Sequence, residues 1–376
     1  MKKYDSKPRG LPVINNRAGG IDIGSRFHVV AVPADLARDP IQTFNAFTAD
    51  LERMANWLVS LGISTVGMES TGVYWIPVYE ILETHGLHVV LANARDAHAV
   101  PARNIDVNDA QWVQRLQSCG LLRASFRPDR EISALRSYLR LRERHLDYAA
   151  AHIQHMQKAL THMNVQLHYV VADITGVTGM RIIRAIVAGE RGPSVLAAMS
   201  DTRRKAGIDV IEAVLVGNYQ PEHTFALSQA LTMYDTYQAQ LLICDQQIAQ
   251  VLVKLSQEKV RPSQPMPKPR HKTRQPNALN FDARTLLYKL VGVDLTQIHG
   301  IGPFLALRLV VECGTDLSRW RTFHHFTSWL TLAPGCRISG GKMLSVHTRK
   351  TKSRVTAPAL GCCHSRENEY CAWGLL

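Results

Sequence analysis

The chain has 376 residues, 46% hydrophobic and 20% charged. That is enough apolar material for two or three cored domains, and it excludes both a disordered chain and a small disulfide-stapled peptide. Lys and Arg number 44 against 31 Asp and Glu, a formal charge of +13. The charge is uneven: residues 1–127 carry 13 basic and 12 acidic residues, residues 128–260 carry 14 and 13, and residues 261–376 carry 17 and 6. Almost all the excess lies in the last third, which points to a polyanionic partner there.

The seven cysteines have no regular spacing, which argues against a disulfide framework. Cys362, His364 and Cys371 lack the CxxC pair and second His that would make a convincing metal motif. The first residues are basic without an apolar h-region, and no apolar run approaches the roughly 20 residues that span a bilayer. The expected compartment is therefore a reducing cytoplasm, with no membrane partner.

In chain order, GIDIGSRFHVVAVP (20–33) reads as two short strands joined at Gly24–Ser25, with a third strand at Ile41–Phe44. Leu51, Met54, Trp57, Leu58 and Leu61 have the spacing of an amphipathic helix. A strand at Ser64–Met68 ends on Glu69, and a helix through Tyr79–Leu82 and a strand at Leu87–Leu91 follow. Three early strands, then alternating helix and strand, indicate an α/β domain over 1–127.

Past Pro128 apolar residues fall at Ile132, Leu135, Leu139, Leu146, Ala149, Ile153, Met156, Leu160, Met163 and Leu167. This is an a/d repeat over about five heptads, with one position skipped at Arg142. The helix is expected to be roughly 50 Å long. It is either packed within its own chain or a coiled coil that dimerises the protein or carries a second domain; both readings stay open. Helical patterning continues to residue 256. Residues 257–280 are basic and proline-rich and read as a mobile linker. Periodic patterning returns at Leu286–Val291 and Phe304–Val311, in a segment taken as 281–355, and an atypical tail occupies 356–376.

Three constellations bear chemistry. Asp22 and Glu69 stand at strand ends, and Asp106 and Asp109 are three apart, so that on a helix they share one face. Hard carboxylate oxygens converging from such positions suit divalent ions that promote phosphoryl transfer, although each acid alone reads as a solvated residue or a cap. Gly300 and Gly302, in QIHGIGP ahead of a helix, resemble half of a helix-hairpin-helix grip on a phosphate backbone, or form an ordinary turn. In APGCRISGGK, Ser339 sits among glycines with Arg337 and Lys342 beside it, a place a phosphodiester can approach. Arg349, Lys350, Lys352 and Arg354 then form a basic run suited to phosphate contact.

On GIDIGSRFHVVAV, VGMESTGVYW, DVNDAQWVQRLQSCGLLRASFRP, IHGIGPFLALRLVVECG and LAPGCRISGGK, in that order, the chain resembles the DEDD transposases of the insertion-sequence one-ten family, also called bridge-RNA-guided recombinases, and their pilin-gene invertase relatives. The match runs over about residues 18–355. The resemblance implies a Holliday-resolvase-like (RNase H-like) domain in which Asp22, Glu69, Asp106 and Asp109 bind Mg2+ or Mn2+. It implies a coiled-coil spacer and a mainly helical C-terminal transposase domain with Ser339 as nucleophile, forming a covalent phosphoserine link to DNA. The implied partners are donor and target DNA, a structured noncoding guide RNA, and further copies of the chain, as dimer and tetramer. When active, such a protein is expected at the bacterial nucleoid.

Two departures from the family pattern stand out. Relatives place a basic and a small hydroxyl residue before the Asp pair, where this chain has Asn104 and Ile105. The ending TAPALGCCHSRENEYCAWGLL looks truncated or frameshifted, so an incompletely packed C-terminal domain and weak recombination are expected. Competing readings are a binding-only remnant, a metal-dependent junction nuclease using the acids alone, and an actin-like sugar kinase suggested by GIDIGS. The last has no use for the Asp pair or the basic serine loop.

Overall fold

The computed structural model describes residues 12–70, 72–93, 108–200, 207–258, 262, 264–270, 277–332 and 334–348. The chain divides into two compact units, Met1–Arg127 and Pro128–Leu376.

The first unit is built on a five-stranded sheet of order β3-β2-β1-β4-β5. Strands β1 (Ala18–Ile23), β2 (Phe27–Ala31) and β3 (Ile41–Asn45) form an antiparallel meander. Strands β4 (Thr65–Glu69) and β5 (His88–Ala92) run parallel to β1. Helices α1 (Thr48–Ser60) and α2 (Trp75–Thr84) supply the crossovers. The period-two alternation sorts the side chains. Ile21 and Ile23, with Val30, Phe44, Val66 and Met68, join Leu51, Met54, Leu58, Val78 and Leu82 in one core. Gly20 and Asp22 therefore face the other way, as do Gly67 and Glu69 on β4.

That second face is covered by α3 (Asp109–Ser118), which buries Ala110, Trp112, Val113 and Leu116. The helix lies very close to the sheet. A Cβ on Gly20 would come within 2.2 Å of the Gln114 nitrogen, and one on Gly67 within 2.5 Å of Leu122 Cδ1. Gln114 Nε2 donates to the Ala18 carbonyl at 3.2 Å, and Gln117 Nε2 donates to Thr65 Oγ1 at 2.7 Å. These bonds tie the helix to β1 and β4.

The second unit centres on two long helices, α4 (Arg130–His162) and α8 (Pro221–Gln257). Between them lie α5 (Val177–Val187), α6 (Pro193–Ala198) and α7 (Ile208–Leu215). The long pair is antiparallel: Met156 and Leu160 share a core with Leu227 and Leu231, while Leu135 and Leu139 share one with Ile248 and Leu252. The heptad face of α4 thus packs on a helix of its own chain. The helix stops at His162; Leu167 falls in a short 3-10 turn instead, because Asn164 takes a left-handed conformation (φ 57°).

The skipped heptad position is filled by an ion pair. Arg142 and Asp245 side chains are only 2% and 5% exposed, and Arg142 Nε donates to Asp245 Oδ1 at 2.5 Å. Arg142 also donates to the carbonyls of Asn277 and Ala278, both at 3.1 Å, and Asp245 accepts from the Asn280 N–H at 3.0 Å. The pair therefore holds two helices and the incoming chain together.

Helices α9 (Ala283–Val291) and α10 (Pro303–Cys313) join the same core through Leu287, Leu290, Leu307 and Val311. The proline-rich stretch expected to be a mobile linker is held down along part of its described length. The carbonyls of Gln264, Pro267 and Lys268 accept hydrogen bonds from Tyr288, Arg284 and Gln297. After α11 (Phe323–Trp329) the chain forms a two-stranded hairpin, β6 (Pro334–Ser339) and β7 (Lys342–Thr348), in a segment expected to be mainly helical. An α/β first unit and a largely helical remainder agree with the expected fold class. The tail at 356–376 lies outside the described residues.

Candidate active site

The acidic residues converge because of strand register. Gly20 pairs with Gly67 and Ile21 with Met68 on parallel neighbours. One residue further on, Asp22 and Glu69 stand side by side on the α3 face, at the carboxyl end of the two central strands. Crevices at this end of a parallel pair are where open α/β sheets bind ligands.

Asp109 comes from above. Asn108 caps α3, its side chain accepting from the Ala110 N–H at 3.0 Å, so Asp109 occupies the first helical position. The close contact at Gly20 lays this first turn over β1. Burial pushes the Asp22 carboxyl above its ordinary value, and the negative charge of Asp109 pushes it further. A carboxyl whose proton affinity is raised by burial and by a neighbouring carboxylate stands where a cation is stabilising. Among the described residues no three acidic, imidazole or thiol groups are gathered tightly enough to enclose an ion. Asp106, with Asn104 and Ile105, lies outside the described residues.

His28 was not singled out from the sequence. It pairs with Ile23 across β1 and β2, faces the core away from Asp22, and is 1% exposed. Burial holds its imidazole below the ordinary value, so it is a neutral core residue. Asn108, Gln114 and Gln117 were also missed, although Asn-Asp ahead of an apolar-periodic segment is a cap signal.

In the second unit, Gly300 takes a left-handed conformation (φ 82°), and Gly302 caps α10 with Pro303 in its first turn. The Gly-rich turn therefore opens a helix, as its pattern indicates. It is braced from below by Asp294, which pairs with Arg284 and accepts from Thr296 and Gln297.

Ser339 ends β6 and pairs with Lys342 across a two-residue turn. Gly340 and Gly341 both have positive φ (54° and 76°), as a type I′ turn demands. Ser339 and Lys342 are both exposed. The hairpin thus presents a hydroxyl and an ammonium together at its tip. The strand backbone carries Arg337; Arg349, Lys350, Lys352 and Arg354 fall outside the described residues. The buried Cys313 thiol is pushed up to about 12 by burial and has no part in nucleophilic chemistry.

Carboxylates at a sheet end suit divalent ions, and an exposed serine beside a lysine suits a phosphate, the groups that chemistry on a phosphodiester backbone requires. A transposase model of the DEDD type for IS110 elements matches residues 19–165, and a model described as transposase IS116/IS110/IS902 family matches residues 294–359. No curated protein matches the chain. The chain belongs to the IS110 family of transposases, enzymes that recombine DNA. No described helix is long and apolar enough to cross a membrane.

Proposed function

We propose that the protein cuts and rejoins the DNA of an insertion sequence using the acidic cluster of the first unit and Ser339 of the second. The observation that carries this reading is that Asp22 and Glu69 stand side by side at one sheet end and that the Asp109 charge, at the start of α3, acts on the Asp22 carboxyl. The fold reading is RNase H-like, supported by the strand order and the family. Asp22, Glu69 and Asp109, with Asp106, would hold Mg2+ or Mn2+. The donor set fits, since all the groups are hard carboxylate oxygens. The bound metal supplies Lewis-acid stabilisation of charge at phosphorus.

The residues of this chain divide the remaining work. The Ser339 hydroxyl attacks phosphorus and forms the phosphoserine ester; the bond to the deoxyribose 3′ or 5′ oxygen breaks, and the hydroxyl proton passes in net to that leaving oxygen. Lys342 and Arg337 offset the phosphate charge beside it. Gly300 and Gly302 let backbone approach DNA closely, and Arg349, Lys350, Lys352 and Arg354 add phosphate contacts. A structured noncoding guide RNA pairs with donor and target DNA. Two or four copies of the chain assemble, so that the acids of one copy meet the serine of another.

The test is cleavage of element-end DNA in Mg2+ by protein expressed with its element's flanking sequence. Asp22→Asn, Glu69→Gln and Asp109→Asn are each expected to abolish cleavage while RNA co-purifies unchanged. Full cleavage by any of them would overturn the acidic assignment. A binding-only remnant predicts DNA binding without cleavage by the unmodified chain. A junction nuclease predicts cleavage that survives Ser339→Ala.

A further inference from the structure

The end of the sheet that carries Asp22 and Glu69 also carries an aromatic rim. Among the described residues of the first unit, Phe44 and Trp112 are buried, and Trp57, Trp75, Tyr79 and Phe126 are partly covered. The exposed aromatic residues are Phe27 (49% exposed), Phe47 (73%) and Tyr74 (47%). All three lie at the acidic end. Phe27 opens β2 immediately after the turn that follows β1, and it pairs with Asn45, the last residue of β3. Phe47 is two residues beyond that strand end. Tyr74 follows β4 by five residues, after a turn in which Gly72 has φ 56°.

Strand order fixes their arrangement. Phe47 and Phe27 lie on the β3 and β2 side, the acids lie on β1 and β4, and Tyr74 caps α2, the helix that follows β4. Neighbouring strands are about 4.8 Å apart, so β2 and β3 lie roughly 5 and 10 Å from β1. Alternation also places Phe27 on the same sheet face as Val29, which pairs with Asp22. Three exposed rings at one end of a sheet offer faces on which planar groups can stack.

Charge narrows that use. The first unit has 13 basic and 12 acidic residues over 1–127, so apart from a cation held by its acids it has little general attraction for phosphates. A DNA strand brought to these acids gains from a further contact that is not electrostatic. We propose that Phe27, Phe47 and Tyr74 are a stacking rim that holds unpaired DNA bases beside the acidic site. Aromatic faces accept any base, so the rim favours strand separation at the cut without choosing sequence. Arg26, exposed between the turn and Phe27, can meet the phosphate on that side. The proposal rests on the reading of the acids as the cutting site.

The test uses the full chain carrying Asp22→Asn, so that DNA is not consumed, and a branched DNA whose single-stranded arm bears 2-aminopurine. Phe27→Ala, Phe47→Ala and Tyr74→Ala are each expected to weaken binding about 5- to 100-fold and to lose the 2-aminopurine quenching. The slope of affinity against salt should stay unchanged, because no phosphate contact is removed. Phe47→Trp and Tyr74→Phe should keep the quenching, which separates stacking from misfolding. Parental affinity in all three alanine variants would overturn the proposal, as would quenching that Phe47→Trp and Tyr74→Phe fail to retain. The cutting-site reading fails separately, if Asp22→Asn with all rings intact still cleaves DNA.

Discussion

Gly20 and Gln114 meet so closely that a Cβ on the glycine would lie 2.2 Å from the Gln114 backbone nitrogen. This contact sets how near α3 comes to β1, and so how near Asp109 comes to Asp22. Gly20→Ala must push the helix away. The variant is expected to lose about 3 kcal/mol of stability and about a hundredfold in DNA cleavage. Gly19→Ala is the control: its Cβ would meet Leu58 Cδ2 at 3.5 Å, an ordinary contact, and it should be tolerated. Thermal melts and cleavage rates of the two variants check this.

Asp22 links the site to pH. Its folded proton affinity is raised above the ordinary carboxyl value of 3.8 by burial and then by Asp109. The folded state then binds this proton more tightly than the unfolded state. The ionised group therefore costs stability, and the cost appears as pH rises from 3.8 through the raised value. Asp22→Asn is expected to raise the melting temperature of metal-free protein by about 2 °C at neutral pH, with the gain vanishing in acid. The variant should also lose the stabilisation that added Mg2+ gives the unmodified chain. Melting curves against pH, with and without Mg2+, read both effects.

The opposite sign applies at Asp294. Burial alone would raise its carboxyl, but hydrogen bonds from Arg284, Thr296 and Gln297 together outweigh it and leave it depressed. Its contribution is complete above the unfolded value of 3.8 and is lost as pH falls below that toward the depressed folded value. Asp294→Asn should loosen the turn at Gly300–Gly302 at neutral pH and remove part of the acid sensitivity of the second unit. Hydrogen exchange of the α10 amides between pH 3 and 7 follows it.

Arg142 and Asp245 are a buried pair, so losing one partner strands the other's charge. Arg142→Met alone is expected to cost about 3–5 kcal/mol, whereas Arg142→Met with Asp245→Leu should recover most of the loss. Denaturant unfolding of the single and double variants gives the coupling. Additive losses would show that the pair does not act as a unit.

Much of this architecture is legible in the sequence, for physical reasons. The first five strands and two helices follow apolar alternation and 3.6-residue spacing, which local burial enforces. The heptad face of α4 is equally plain, and so is the gap at Arg142. Its partner is not, because Asp245 lies 103 residues away and only folding brings it there. Gly20 and Gly67 look like ordinary strand glycines until the helix above them is seen. The β6–β7 hairpin is legible too, since Gly340-Gly341 between alternating segments is a type I′ signal. The same residues also suit a phosphate-binding loop, and only the strand pairing shows the hairpin. The rim of Phe27, Phe47 and Tyr74 depends on strand order, which no local pattern states.

The central claim is that the acids and Ser339 act in one reaction. Its most direct test is a covalent adduct on a denaturing gel, using labelled element-junction DNA, Mg2+ and protein expressed with its element's flanking DNA. The account predicts a DNA-linked band with the unmodified chain and none with Ser339→Ala, Asp22→Asn or chelator. An adduct that forms equally well in Asp22→Asn or Ser339→Ala would contradict it.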